Sequence, residues 1–157
     1  MSTRCQLQVV QQEPYTMNTM KVTLYHHHDG YPEYMIPVIY RAYTWVDESD
    51  SNGNWVKGRA GKVASLLCWA EPTEFEPEAI HNLHGDIEFY YRLYCDYSYH
   101  EKKVIWEIDI YYRQEWHDDI DRKTTLSDFK LIESRQNIED LVKKYNVAER
   151  INFSAIK

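Results

Sequence analysis

Two runs of alternating residues in the second half of the chain dictate its architecture. Ile87, Phe89, Tyr91, Leu93 and Cys95 are separated by more polar residues, and Val104, Trp106, Ile108 and Ile110 repeat the pattern. A period of two sends successive side chains to opposite faces of an extended chain, so each run predicts a long strand with one buried face. The polar stretch Ser98 to Lys102 joins the two. Glu88 and Arg92 on one strand and Lys103, Glu107 and Asp109 on the other fall on the outward faces. They are expected to be solvated, with cross-strand ion pairs contributing about 0.2–1 kcal/mol each.

The rest of the chain supplies partners for these strands. Cys5, Leu7 and Val9, then Val22 and Leu24, show the same alternation on either side of a polar loop with Pro14 and Asn18, which predicts an N-terminal hairpin. A helix is expected from about Pro37 to Val46, followed by an exposed loop over Asp47 to Asn54 that contains Gly53. A second helix is expected from Arg59 to Trp69, with Val63, Leu66, Leu67 and Ala70 on one face and Pro72 and Pro77 ending it. Phe129 to Glu133 reads as a short strand, and Asn137 as the cap of a helix over Ile138 to Tyr145 whose last turn carries Lys143 and Lys144. The expected fold is α+β: an antiparallel sheet of about five strands with two or three helices packed on one face. A chain of 157 residues suits one domain, 1–157, with a single core.

Charge and cysteine content exclude several functions. A formal net charge of −7 is the wrong sign for general phosphate binding, so direct nucleic-acid contact is not expected. Cys5, Cys68 and Cys95 are odd in number and lack metal-like spacing, which fits reduced, buried thiols in a cytoplasmic protein. No run approaches the roughly 18 apolar residues of a membrane span, so no membrane partner is expected. Gly58 and Gly61 flank Arg59 and Lys62 without the spacing of a phosphate-cradling loop, which disfavours nucleotide hydrolysis.

Residues 24 to 34, Leu-Tyr-His-His-His-Asp-Gly-Tyr-Pro-Glu-Tyr, are the densest group of reactive side chains. Within them Tyr25-x-His27-x-Asp29-Gly30-Tyr31-Pro32-Glu33, together with the opening Met-Ser-Thr-Arg, resembles a family of small proteins common in bacteriophages, plasmids and other mobile elements. Members of that family usually show Tyr-x-His-Trp-Asp-Gly-Tyr-Pro-Glu here, and His28 stands where they have Trp. The later Gly85-Asp86-Ile87-Glu88-Phe89-Tyr90 is similar to the family's Gly-Asp and aromatic strand. The resemblance implies an accessory protein of a mobile element, cytoplasmic in the bacterial host, and no particular reaction.

Three readings of the segment follow from its chemistry. As a recognition surface, Tyr25, His27, Asp29, Tyr31 and Glu33 would contact a partner, since aromatic and His side chains on a rigid turn make good anchors. The acidic loops Asp47/Glu48/Asp50, Glu71/Glu74/Glu76/Glu78 and Asp118/Asp119/Asp121 then favour a host defence complex with a basic surface. A small signalling nucleotide or a second copy of the chain are further candidate partners. As a metal site, His26 and His28 would share a strand face and join Asp29, with Glu107, Asp109 or Asp118–Asp119 as a further carboxylate, to bind a divalent transition metal in a hydrolase. As a plain corner, Asp29, Gly30 and Pro32 would only shape the chain, and no cofactor would be needed.

Overall fold

A computed structural model describes residues 3–12, 19–51, 56, 58–79, 81–98, 100–119 and 121–145. The expected Pro14, Asn18 and Gly53 loop positions lie outside these residues, as do the side chains of Asp47, Glu48 and Asp50. The chain runs β1 (Cys5–Gln12), β2 (Thr19–His26), α1 (Pro32–Ser51), α2 (Ala60–Ala70), β3 (Phe75–Glu78), β4 (Phe89–Ser98), β5 (Lys103–Arg113), β6 (Phe129–Asn137) and α3 (Ile138–Tyr145). A single 3-10 turn, Leu126–Asp128, precedes β6.

The strands form one sheet in the order β3-β2-β1-β4-β5-β6. The α+β class holds; among the described residues the sheet has six strands rather than five and is mixed rather than purely antiparallel. The parallel pair is β1–β4, in register from Cys5↔Phe89 to Val10↔Tyr94. It arises because β3 starts beside His26 and runs away from the end of the sheet where β1 began, and residues 81–88 bring the chain back to that end before β4. The unforeseen strand is β3, whose Phe-Glu-Pro-Glu is only four residues long and contains Pro77. Proline lacks the N–H that a ladder needs, and it is tolerated here because β3 is an edge strand.

The helices also correct the sequence expectation. α1 begins at Pro32, and Pro37 lies inside it. Its C-terminal end continues to Ser51 through an acidic run without a basic residue in the last turn, which works against the helix dipole and reads as loop. α2 and α3 lie within a residue of the expected limits. The first amide of α2, Ala60 N, donates to Gln11 Oε1 at 2.7 Å, so a β1 side chain caps it. Asn137 Oδ1 accepts from Glu139 N at 2.8 Å at the start of α3.

Alternation divides the sheet into two unlike faces. Leu7, Val9, Leu24, Tyr91, Leu93, Trp106, Ile108 and Ile110 are fully buried against Met35, Ile36, Ile39, Val63, Leu67 and Ile138 from the three helices. The opposite, outer face is polar and aromatic. Its charges are less solvated than the alternation predicts: Asp109, opposite Arg92, is buried, accepts the Tyr94 hydroxyl at 2.6 Å and accepts Arg135 N at 2.7 Å. Residues 81–88 cross this face, held where Gln6 donates to Asn82 O and accepts from His84 N.

Candidate functional site

The chain turns from β2 into α1 at a corner fixed around Gly30. Gly30 N donates to Thr3 O at 2.8 Å, and the buried Tyr91 hydroxyl donates to Gly30 O at 2.6 Å. A Cβ on Gly30 would stand 2.7 Å from Cys5 Cβ and 2.9 Å from Cys5 N, so the close approach to β1 requires glycine. Asp29 precedes it at φ 53°, the left-handed region that Asp tolerates. Pro32 opens α1, where its missing N–H costs nothing, while Tyr34 N and Met35 N both donate to Tyr31 O at 3.0 Å. Glu33 lies in the first turn, where the dipole favours a carboxylate.

The five candidate binding residues separate into two groups. Tyr25 and His27 belong to the outer face. The Tyr25 ring packs between His27 and His84, with centroids at 4.7 and 4.8 Å, and its hydroxyl donates to Asp86 Oδ2 at 2.6 Å. Burial and the Asp86 carboxylate push the Tyr25 phenol well above its ordinary value. His27 Nε2 is 3.0 Å from Glu76 Oε2 and His84 Nε2 is 2.6 Å from Glu78 Oε1, so β3 supplies a carboxylate to each imidazole. Asp29, Tyr31 and Glu33 stand exposed on the corner, as does His28. Burial and an adjacent Asp29 carboxylate that accepts its hydrogen bond raise the Tyr31 phenol.

The three residues of the suggested metal site are not brought together. β2 ends at His26, so the period of two stops before His28. The His26 ring is fully buried on the helix side, and His28 is exposed. Glu107 and Asp109 lie on β5, with β1 and β4 between them and β2, and Asp118 and Asp119 are exposed beyond β5. Among the described residues no group of three or more His, Cys, Asp or Glu side chains is placed to hold a metal ion. The thiols offer no nucleophile: burial pushes Cys95 up to about 12 and raises Cys5 and Cys68.

Sequence reading missed the surroundings of His26. Glu71 is the C-cap of α2 and Glu74 closes the turn after it, where Glu74 N donates to Glu71 O at 3.1 Å. That turn lies against the end of β2, because His27 N donates to Glu74 O at 3.2 Å. His26 Nε2 is 3.9 Å from Glu71 Oε1, the same oxygen that accepts the Tyr34 hydroxyl, and the Phe75 ring packs edge-on at 4.7 Å. Among the described residues no side chain stands within hydrogen-bond distance of a His26 ring nitrogen, and Glu74 Oε2 is likewise buried. Burial lowers the pKa of His26; Glu71, the His28 backbone, Glu74 and Asp29 pull it upward without overcoming that effect. The available signal was parity: His26 shares a face with the core residue Leu24.

Arg113 was also missed. Its buried guanidinium donates to Gly85 O, Ile87 O and Thr124 Oγ1, its Nε donates to Glu115 O, and it lies 4.3 Å from the Trp116 ring. It thereby ties residues 114–128 to the segment that crosses the outer face. The registers Phe75↔His26↔Cys5↔Phe89↔Tyr112↔Lys130 place this loop and the corner at the same end of the sheet. The Glu71–Glu78 and Asp118–Asp121 acidic groups belong to opposite edges of it. Compared with protein-family models, with curated proteins and with solved structures, the chain matches none.

Proposed function

We propose that this protein is a mobile-element accessory protein that binds and antagonises a host defence complex, with the Asp29–Glu33 corner against a basic surface of its target. The observation that carries the reading is the corner's construction. Its backbone is held by Thr3, Tyr91 and the close packing of Gly30 on Cys5, while His28, Asp29, Tyr31 and Glu33 remain exposed. Side chains displayed on a fixed backbone lose little freedom on binding, and a tyrosine flanked by carboxylates is a good anchor for a basic partner. The net charge of −7 steers the encounter in the same direction. It also disfavours a signalling nucleotide, whose phosphates the corner would repel.

The test is affinity capture from bacterial host lysate with the unaltered protein and with a Tyr31→Ala/Glu33→Lys variant, at low and high salt. The expected result is a basic host complex recovered at low salt, weakened by salt, and lost with the variant while its circular dichroism and melting temperature are unchanged. Equal recovery by both proteins would overturn the corner as the contact, and a salt-insensitive partner would overturn the electrostatic basis.

A further inference from the structure

The loop that follows β5 leaves the sheet and returns to the same point, since Gln114 N and Glu115 N donate to Asp128 O at 2.8 and 3.1 Å. Compact loops with closed ends are packed by their own side chains and often carry function. At the root of this one lies the buried Arg113, with four of its five N–H donors taken by Glu115 O, Gly85 O, Ile87 O and Thr124 Oγ1. Asp128 fixes the other side, accepting Thr125 N at 2.9 Å and standing 2.9 Å from His117 Nε2. The guanidinium carbon of Arg113 lies 4.3 Å from the centre of the Trp116 ring, yet Trp116 is 55% exposed. An indole left in water adds little to folding, so a brace of this kind under Trp116 gains its use when something outside the chain covers the ring.

We infer that Trp116 is a second anchor of the binding surface, seating its indole in an apolar recess bordered by basic residues on the same target that the Asp29–Glu33 corner meets. The inference rests on the binding role proposed above and extends the corner's surface along the end of the sheet. A row of backbone bonds holds the two in place: Gly30 N donates to Thr3 O, Glu88 N to Arg4 O and Arg113 N to Glu88 O, at 2.8, 2.9 and 2.8 Å. β2 leads into the corner and β5 into the loop, three strand spacings or about 14–15 Å apart. An interface of standard size, roughly 800 Å² per partner, spans that distance. The exposed Glu115, Asp118 and Asp119 flank Trp116 and continue the negative charge of Asp29 and Glu33, offset in part by Arg122 and Lys123. A rigid aromatic ring within such a rim is the usual form of a binding hot spot, and the acidic rim matches a basic target.

The test purifies the host complex recovered by the capture experiment and measures its affinity for the whole protein and for Trp116→Ala and Trp116→Phe at low and moderate salt. The expected result is a loss of about tenfold with Trp116→Ala and a smaller one with Trp116→Phe, with melting temperatures unchanged. The factor should be the same at both salt concentrations, because salt screens charges and not an apolar contact. A benzoylphenylalanine cross-linker placed at position 116 should attach to the same host complex as one placed at position 31. Unaltered affinity with Trp116→Ala would overturn the inference, as would a loss that salt abolishes or cross-linking to a different complex. If the Tyr31→Ala/Glu33→Lys variant still loses the target in that case, the binding role stands without the second anchor. A loss with Trp116→Ala beside undiminished binding by the corner variant would instead remove the corner and keep Trp116 as the contact, and recovery of no complex would overturn both.

Discussion

Gly30 and His26 lie four positions apart and make opposite demands on the fold. Gly30 gains stability from fit: any side chain there must displace Cys5, whose backbone cannot easily yield. Gly30→Ala should therefore lower unfolding free energy by about 1–3 kcal/mol, seen as a lower urea midpoint with an unchanged slope. His26 instead carries the cost of desolvation: its ring is fully buried, and Nε2 stands 3.9 Å from Glu71 Oε1, beyond hydrogen-bond distance. His26→Leu, of similar volume, is expected to be neutral or to stabilise by about 1 kcal/mol at pH 7.5. Its pH dependence has a definite sign. The folded pKa is depressed below the ordinary 6.5 despite Glu71, Glu74 and Asp29, so the unfolded chain takes up the proton first. Stability contributed by neutral His26 is thus complete above about pH 6.5 and is lost as pH falls through the folded value, at up to about 1.4 kcal/mol per unit. Urea unfolding from pH 7.5 to 5 should show the variant gaining on the unaltered protein as the pH drops; parallel curves would refute it. The turn at Asp29-Gly30 was legible in sequence because glycine and proline act on their own backbone. The fate of His26 was not, because it depends on where β2 stops and on a turn some forty-five residues later.

Secondary structure was legible where a strand or helix carried its own signal and obscure where neighbours decided. β4 and β5 follow from alternation alone, and α3 from its cap. β3 exists only because β2 offers it an edge, with Phe75 set opposite His26. α1 starts earlier than Pro37 because the corner presents Tyr31 O to its first amides. At eight residues α3 is too short to persist by itself and relies on its cap and on burying Ile138 and Leu141. Asn137→Ala should accordingly cost about 0.5–2 kcal/mol, and Asn137→Asp close to nothing, as measured by urea midpoints. Equal losses in the two variants would show that the Glu139 N bond contributes nothing.

Taken as one body, the sheet is closed to extension at both edges. β3 is four residues long and contains Pro77. β6 pairs with β5 through irregular register around Ile110, has Arg135 at φ 46°, and carries the exposed Lys130. Short, bulged, charged and proline-containing edges oppose strand addition, even though Leu131 and Ile132 are exposed on β6. The protein should therefore sediment without concentration dependence in the micromolar range, and any association should leave β6 amide exchange unchanged. A dimer that protects the Lys130–Ser134 amides would contradict this. A partner, or a second copy, must then be met by the corner, the outer face or the helices.

The parallel pairing of β1 with β4 also governs how the chain can be made. β1 receives β2 within moments of synthesis, but its other neighbour begins only at Phe89, opposite Cys5. At roughly 5–20 residues per second that interval lasts on the order of 4–17 s, during which the centre of the finished sheet is an open edge on the ribosome. Folding by independent halves is closed to such a topology: the N-terminal half, released alone, would keep that edge bare and be prone to aggregate. Native structure must await the second half, which makes the newborn chain a natural client for chaperones.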